Sequence, residues 1–254
     1  MLWNSFKIAF SMYSKIPMPK TDWNKKNMRY TMCFFPLIGI VIGAAIYFWS
    51  FLCGNLEFGL TLRIAGYIVI PILITGGIHL DGFIDTQDAL SSYKSKEEKL
   101  EILKDSHIGA FALISCIIYF VIAAGVWSEL SQASILPLAA GFVLSRALSG
   151  LAIVTFSCAK DSGLAHMFSD ASQKNVVRIT MIILIILASG VMIVLGGIIG
   201  LSALLGAVIL FQIYRYAAYK EFGGITGDLA GWFLQLCELA MAIGALVGQI
   251  YIFQ

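Results

Sequence analysis

One histidine and three aspartates, His79, Asp81, Asp85 and Asp88, fall within ten residues of the stretch GGIHLDGFIDTQDAL, residues 76–90. The aspartates are spaced i, i+4, i+7, which places them on one face if the segment is helical. Like charges at that spacing repel, so such a helix needs a cation among them. Oxygen-only ligands favour Mg²⁺ or Ca²⁺ over zinc. The competing reading is a solvated loop after a membrane helix, where aspartates need no partner. Gly76 and Gly77 ahead of the acids and Gly82 among them favour the metal.

Other polar residues join this group with two readings each. Asp105, in the run KDSHIG, is either a site residue or the N-cap of the helix that follows. Asp228 closes the run GGITGD and is either a site residue or a first-turn acid favoured by the helix dipole. His79 is a ligand, a base or an interfacial side chain. Arg146 lies inside an apolar run, where a charge is costly and marks a partner or a wet cavity. It either neutralises an acid such as Glu238 or contacts phosphate. His107 and His166 carry a weaker signal.

The elements that must position these residues are membrane helices. The chain has 254 residues, of which 59% are hydrophobic and only 13% charged, far below the roughly 25% charged of a soluble domain. The fold class expected is all-α, a polytopic membrane helix bundle in one domain. Residues 1–30 form an interfacial amphipathic helix and a basic linker, and residues 31–254 form the transmembrane bundle. Leu2, Phe6, Ala9, Tyr13 and Ile16 recur at helical spacing and read as a retained surface helix, not a cleavable signal. Seven spans are expected, at about 33–52, 64–79, 108–127, 135–156, 176–195, 198–219 and from about 229 toward the C-terminus. Gly39 and Gly43 in the first have the small-x-x-x-small spacing of close helix packing. Residues 91–104, with alternating Lys and Glu, read as a solvated helix face. The five cysteines are scattered singly, which speaks against disulfides and thiolate zinc.

Charge placement sets the orientation. With a cytoplasmic N-terminus, all 17 Lys and Arg except Arg63 and Arg146 lie on or beside the cytoplasmic side. Asp81, Asp85, Asp88, Asp105, Asp161 and Asp228 fall at the cytoplasmic ends of spans. The localisation expected is the cell inner (plasma) membrane, multi-pass, with the active site facing the cytoplasm. Aspartates gathered at one face beside lysines suit a phosphorylated substrate with Mg²⁺ bridging carboxylates and phosphate oxygens.

The stretch GGIHLDGFIDTQDAL resembles the signature of the cobalamin synthase (adenosylcobinamide-GDP ribazoletransferase) family, as does ILKDSHIGAF at residues 102–111. KIPMP at residues 15–19, FPLIG at 35–39 and GGITGD at 223–228 are similar in the same order. The chain departs from the pattern at His107, where the family usually has arginine, and at Ala89 and Ala112, where it usually has glycine. The resemblance implies a transferase of cobalamin biosynthesis that assembles the nucleotide loop of a corrinoid. In that reaction the ribose 3′-hydroxyl of α-ribazole, or of its 5′-phosphate, attacks adenosylcobinamide-GDP at the phosphorus next to the aminopropanol arm, and GMP leaves. It implies Mg²⁺ on Asp81, Asp85 and Asp88, with Asp105 completing the shell or orienting a metal-bound water. His79 or an aspartate would take the hydroxyl proton, and Lys104, His107, Arg146 and Asp228 would meet the substrates. The partners implied are these small molecules and the lipid bilayer, with no nucleic acid; a homo-oligomer is left open.

Two rivals stand beside this reading. CDP-alcohol phosphotransferases place Ala-Arg soon after Asp-Gly, whereas Asp81-Gly82 is followed here by Phe83-Ile84-Asp85. A secondary transporter would also use intramembrane acids, but the acids here cluster on one face and no inverted repeat is visible.

Overall fold

The computed structural model describes residues 1–105 and 107–253; Ser106, within the second motif, lies outside them. The helices are α1 (Leu2–Tyr13), α2 (Lys25–Met28), α3 (Thr31–Asn55), α4 (Leu60–Thr75), α5 (Ile78–Ser91) and α6 (Lys96–Ile102). They continue as α7 (Ala110–Glu129), α8 (Ile135–Thr155), α9 (Gly163–Ala171), α10 (Lys174–Gly196), α11 (Ile198–Ala217) and α12 (Gly227–Phe253). Among the described residues the only extended pairing is one parallel bridge between Cys158 and Ile225. Six helices are long and apolar enough to cross a membrane, seven if α4 and α5 count as one broken span. The chain is a multi-pass helical bundle.

α8 is the central post: most of the window that would cross the bilayer is buried in protein, and α3, α10 and α12 pack around it. Gly39 and Gly43 let α3 approach closely, since a Cβ at either would strike the Phe142 or Ala139 carbonyl of α8. α7 and α10 expose most of their spans, as outer helices facing lipid would.

The break after α4 sets up the site. Gly76 and Gly77 both have positive φ, 68° and 81°, a conformation that only glycine adopts freely. Through this pair the chain turns by 96° into α5. α5 therefore leaves the direction of α4 and packs across the first turns of α12 and against α7, with His79, Gly82, Phe83, Thr86 and Ala89 buried. The three aspartates occupy the neighbouring face, as their spacing requires.

Three parts differ from the sequence reading. α1 is amphipathic but docks on α3, burying Ser5, Ile8, Ala9 and Phe10, while Leu2 remains exposed. α6 is not a wholly solvated face: Lys99 is buried and pairs with Glu221 of the segment 218–222. Between the spans expected at 135–156 and 176–195 the chain is not a plain connection, since it contains α9.

Candidate active site

Two cavities of about 230 Å³ each lie at the end of the bundle where α5, α9 and α12 meet. They share Leu164, Ala165, Gly227 and Asp228 as a common wall.

The first cavity is bounded by His79 and Asp81 from α5, Asp228 from α12, Tyr13 from α1 and Ser149 from α8. His79 is only 4% exposed and lies between Tyr13 and Phe35, with ring centroids 6.1 and 5.9 Å away. Its Nε2 is buried without a hydrogen-bond partner among the described residues. A buried polar atom left so costs about 1–3 kcal/mol, which a ligand in the cavity would recover.

The acids converge across two helices. The charges of Asp81, Asp228 and Asp88 all act on Asp85, and the four carboxylates enter no ion pair among the described residues. Asp228 stands in the first turn of α12, where the helix dipole favours it, so the dipole and the site act on the same residue. Asp88 points to the start of α7: it is the nearest side chain to Gly109, the N-cap residue of that helix. Its carboxylate stands where the dipole of α7 favours negative charge.

Among the described residues, no three His, Cys, Asp or Glu side chains close around a common point. A complete protein cage is therefore absent. Mg²⁺ is usually bound by one or two carboxylates, with substrate phosphates and water filling the rest of its shell. Asp81 and Asp85, with Asp228 nearby, fit that donor pattern. Asp88, at the mouth of α7, is the outlying member of the trio.

The second cavity is bounded by Lys104, Lys160, Ser162 and Thr226 together with Asp228. The bridge between Cys158 and Ile225 ties the loop carrying Lys160 to the loop carrying Thr226 and Gly227, with Ala159 N donating to Ile225 O and Ile225 N donating to Ser157 O, each at 2.9 Å. This is the structural task of the late glycine-rich run.

Five candidate residues from the sequence reading line neither cavity: Asp85 and Asp88, further along α5, and Asp105, His107 and Arg146. Asp105 and His107 form their own exposed pair, with His107 Nδ1 2.6 Å from Asp105 Oδ1 and the histidine side chain 91% exposed. The hydrogen bonds from His107 hold the Asp105 carboxyl below its ordinary range. Nor does Asp105 cap α7, which starts at Ala110 with Gly109 as its N-cap. Arg146 is buried in α8 and donates to Glu238 at 2.7 Å, to Phe142 O and to Ser145 Oγ. Its charge is spent inside the bundle, behind His79. Lys160 and Tyr13 are the members that sequence reasoning missed. The signal for Lys160 was a charged, glycine-containing run, Lys160-Asp161-Ser162-Gly163, at the cytoplasmic end of a span.

The sequence model of the cobalamin-5-phosphate synthase family matches residues 5–246. An adenosylcobinamide-GDP ribazoletransferase of Lachnoclostridium phytofermentans is 48% identical over 247 residues, covering 97% of this chain and 94% of its own length. A protein of the same name from Clostridium botulinum is 34% identical, covering 94% of this chain and 95% of its own length. Another, from Treponema denticola, is 32% identical, covering 93% and 95%. No solved structure matches the chain. The family match spans most of α1, the acidic helix α5, both cavity linings and most of α12, and the chain belongs to the cobalamin-5-phosphate synthase family.

Proposed function

We propose that the chain joins α-ribazole, or its 5′-phosphate, to adenosylcobinamide-GDP with release of GMP, at a site facing the cytoplasm. The observation that carries this reading is that Asp81 and Asp228 border one cavity, with Asp85 one turn beyond Asp81 on α5 and no ion-pair partner for any of the three among the described residues. Such a site repels a free phosphate and accepts one that arrives with a divalent cation.

The reaction moves one phosphoryl centre. The ribose 3′-oxygen forms a new bond to the phosphorus next to the aminopropanol arm, and the bond from that phosphorus to the bridging oxygen breaks. GMP departs with that oxygen, and the proton of the 3′-hydroxyl passes to a base. Asp81 and Asp85 would hold Mg²⁺, which supplies charge neutralisation for the pyrophosphate and for the departing GMP. His79 borders the cavity with its Nε2 unpartnered and is placed to accept the hydroxyl proton. Tyr13 and Phe35 fix the plane of its ring. Little covalent work falls to the protein in phosphoryl transfer, so positioning and electrostatics are its main contribution.

The orientation is supported by the distribution of basic residues, which favours a cytoplasmic location for the end carrying both cavities. Incubating purified protein with adenosylcobinamide-GDP, α-ribazole 5′-phosphate and Mg²⁺ should yield GMP and a corrinoid whose mass includes the nucleotide loop. Recovery of unchanged adenosylcobinamide-GDP from folded preparations would rule the reading out.

A further inference from the structure

The second cavity holds cations that the transfer chemistry above does not employ. Lys160 enters it from the α8–α9 loop and Lys104 from the turn after α6. Lys160 is tethered there, its Nζ donating to Leu100 O at 2.6 Å. Lys104 pairs on its solvent side with Glu101 at 2.7 Å, both side chains being more than half exposed, so that pair is weak. Burial first, and then the charge of Lys104, hold the Lys160 ammonium below the ordinary lysine range, while Glu101 and Asp228 oppose the shift. Two like charges thus border one space. α9 begins at the same cavity with no side-chain cap on its first turn, which leaves backbone N–H groups directed outward. Ser162 adds a hydroxyl, while the Thr226 hydroxyl on the same wall accepts from Leu229 N at 3.1 Å and is engaged with the Asp228 carboxylate.

We propose that this cavity is a phosphomonoester subsite, set apart from the metal-binding pair Asp81 and Asp85, with Lys160 and Lys104 as its cationic contacts. A phosphate monoester carries about two negative charges and three acceptor oxygens, matching two ammonium groups, the Ser162 hydroxyl and a helix N-terminus. Asp228 is the one acid on the wall, and it faces both cavities. A phosphate seated here lies one wall away from the reacting centre. The identity of the ligand, though not its chemistry, rests on the transferase reading. Two phosphomonoesters take part in that reaction: the 5′-phosphate of the acceptor nucleoside and the phosphate of released GMP.

The test titrates the full-length protein in detergent with GMP, α-ribazole 5′-phosphate and α-ribazole. Lys160→Gln is expected to weaken one of the two phosphomonoesters by about tenfold or more, the scale of a lost charge-assisted hydrogen bond. The loss on unphosphorylated α-ribazole should be several-fold smaller, and Lys160→Arg should restore most of the binding. A selective loss on α-ribazole 5′-phosphate assigns the subsite to the acceptor, and one on GMP assigns it to the leaving group. Lys160→Gln protein that melts like wild type and binds both phosphomonoesters as tightly overturns the proposal. Should Lys160→Gln fail to accumulate, Lys104→Gln, at an exposed side chain, decides by the same criterion. Wild-type protein that binds GMP through Lys160 yet forms no corrinoid would retain the subsite and sink the transferase reading.

Discussion

A Cβ placed on Gly82 would come within 2.7 Å of the Asp228 carbonyl oxygen. The two residues are far apart in sequence, one in the middle of the acidic helix α5 and the other at the start of α12. Their contact is what brings the aspartates of α5 to the aspartate of α12. Gly231, one turn further along α12, meets the His79 carbonyl in the same crossing.

Gly82→Ala should therefore damage the site more than the bundle. Overpacking of this kind costs about 1–3 kcal/mol, and it would push α5 off α12 where Asp228 faces Asp81. Turnover is expected to fall about tenfold or more while accumulation in the membrane stays near normal. An active Gly82→Ala enzyme would show that the two acidic elements need not be in contact.

Arg146 and Glu238 offer a second test. Removing one partner of a buried ion pair typically costs about 3–5 kcal/mol, whereas replacing both with apolar residues is often neutral. Arg146→Met should therefore lower the melting temperature in detergent sharply, and adding Glu238→Leu should recover most of it. A stable Arg146→Met enzyme with a raised KM would instead make Arg146 a substrate contact.

The bundle was largely readable because six apolar runs of span length need no tertiary information, whereas the span expected at 64–79 ends as a helix at Thr75 and breaks at Gly76 and Gly77. The acid spacing was readable too, since a period of 3.6 is local. What could not be read was long-range. Lys99 looked solvated because its partner Glu221 lies 122 residues away. Asp105 sat near enough to the third span to suggest a cap, but α7 begins at Ala110 and leaves it outside. α9 was hidden in a run too short and too polar to stand out. Arg146 could be given Glu238 or a phosphate as partner from sequence, and only the packing of α8 against α12 distinguishes them.

His107 tests a departure from the family pattern. Its ring is 91% exposed and bonded to Asp105, and exposed pairs contribute little. The lowered carboxyl of Asp105 stabilises the fold above the ordinary carboxylate pKa, and that contribution is lost as pH falls through the lowered value. Between pH 6 and 8 the carboxylate stays ionised. His107→Gln and His107→Arg are expected to keep turnover within about twofold, with pH profiles overlaying wild type across that window. A flattened alkaline limb in His107→Arg alone would instead place His107 on a substrate phosphate.

Orientation can be measured with single cysteines in a background lacking the five native ones. Tyr93 is 94% exposed near the carboxylate end of the bundle, and Glu57 lies in the α3–α4 turn at the opposite end. In intact cells a membrane-impermeant maleimide should react with Glu57→Cys and spare Tyr93→Cys. Labelling of Tyr93→Cys would put the carboxylates outside the cell.

The central claim is that the α5 carboxylates carry the transfer with a divalent cation, and GMP release measured against Mg²⁺ concentration tests it most directly. Purified wild-type protein should show saturable dependence on Mg²⁺ and no release in excess chelator. Asp81→Asn and Asp85→Asn keep side-chain size but lose the charge, and each should release GMP about a hundredfold more slowly at saturating Mg²⁺, the scale of one lost electrostatic contact in a transition state. Release that persists in chelator, or either variant turning over at the wild-type rate, would contradict the account.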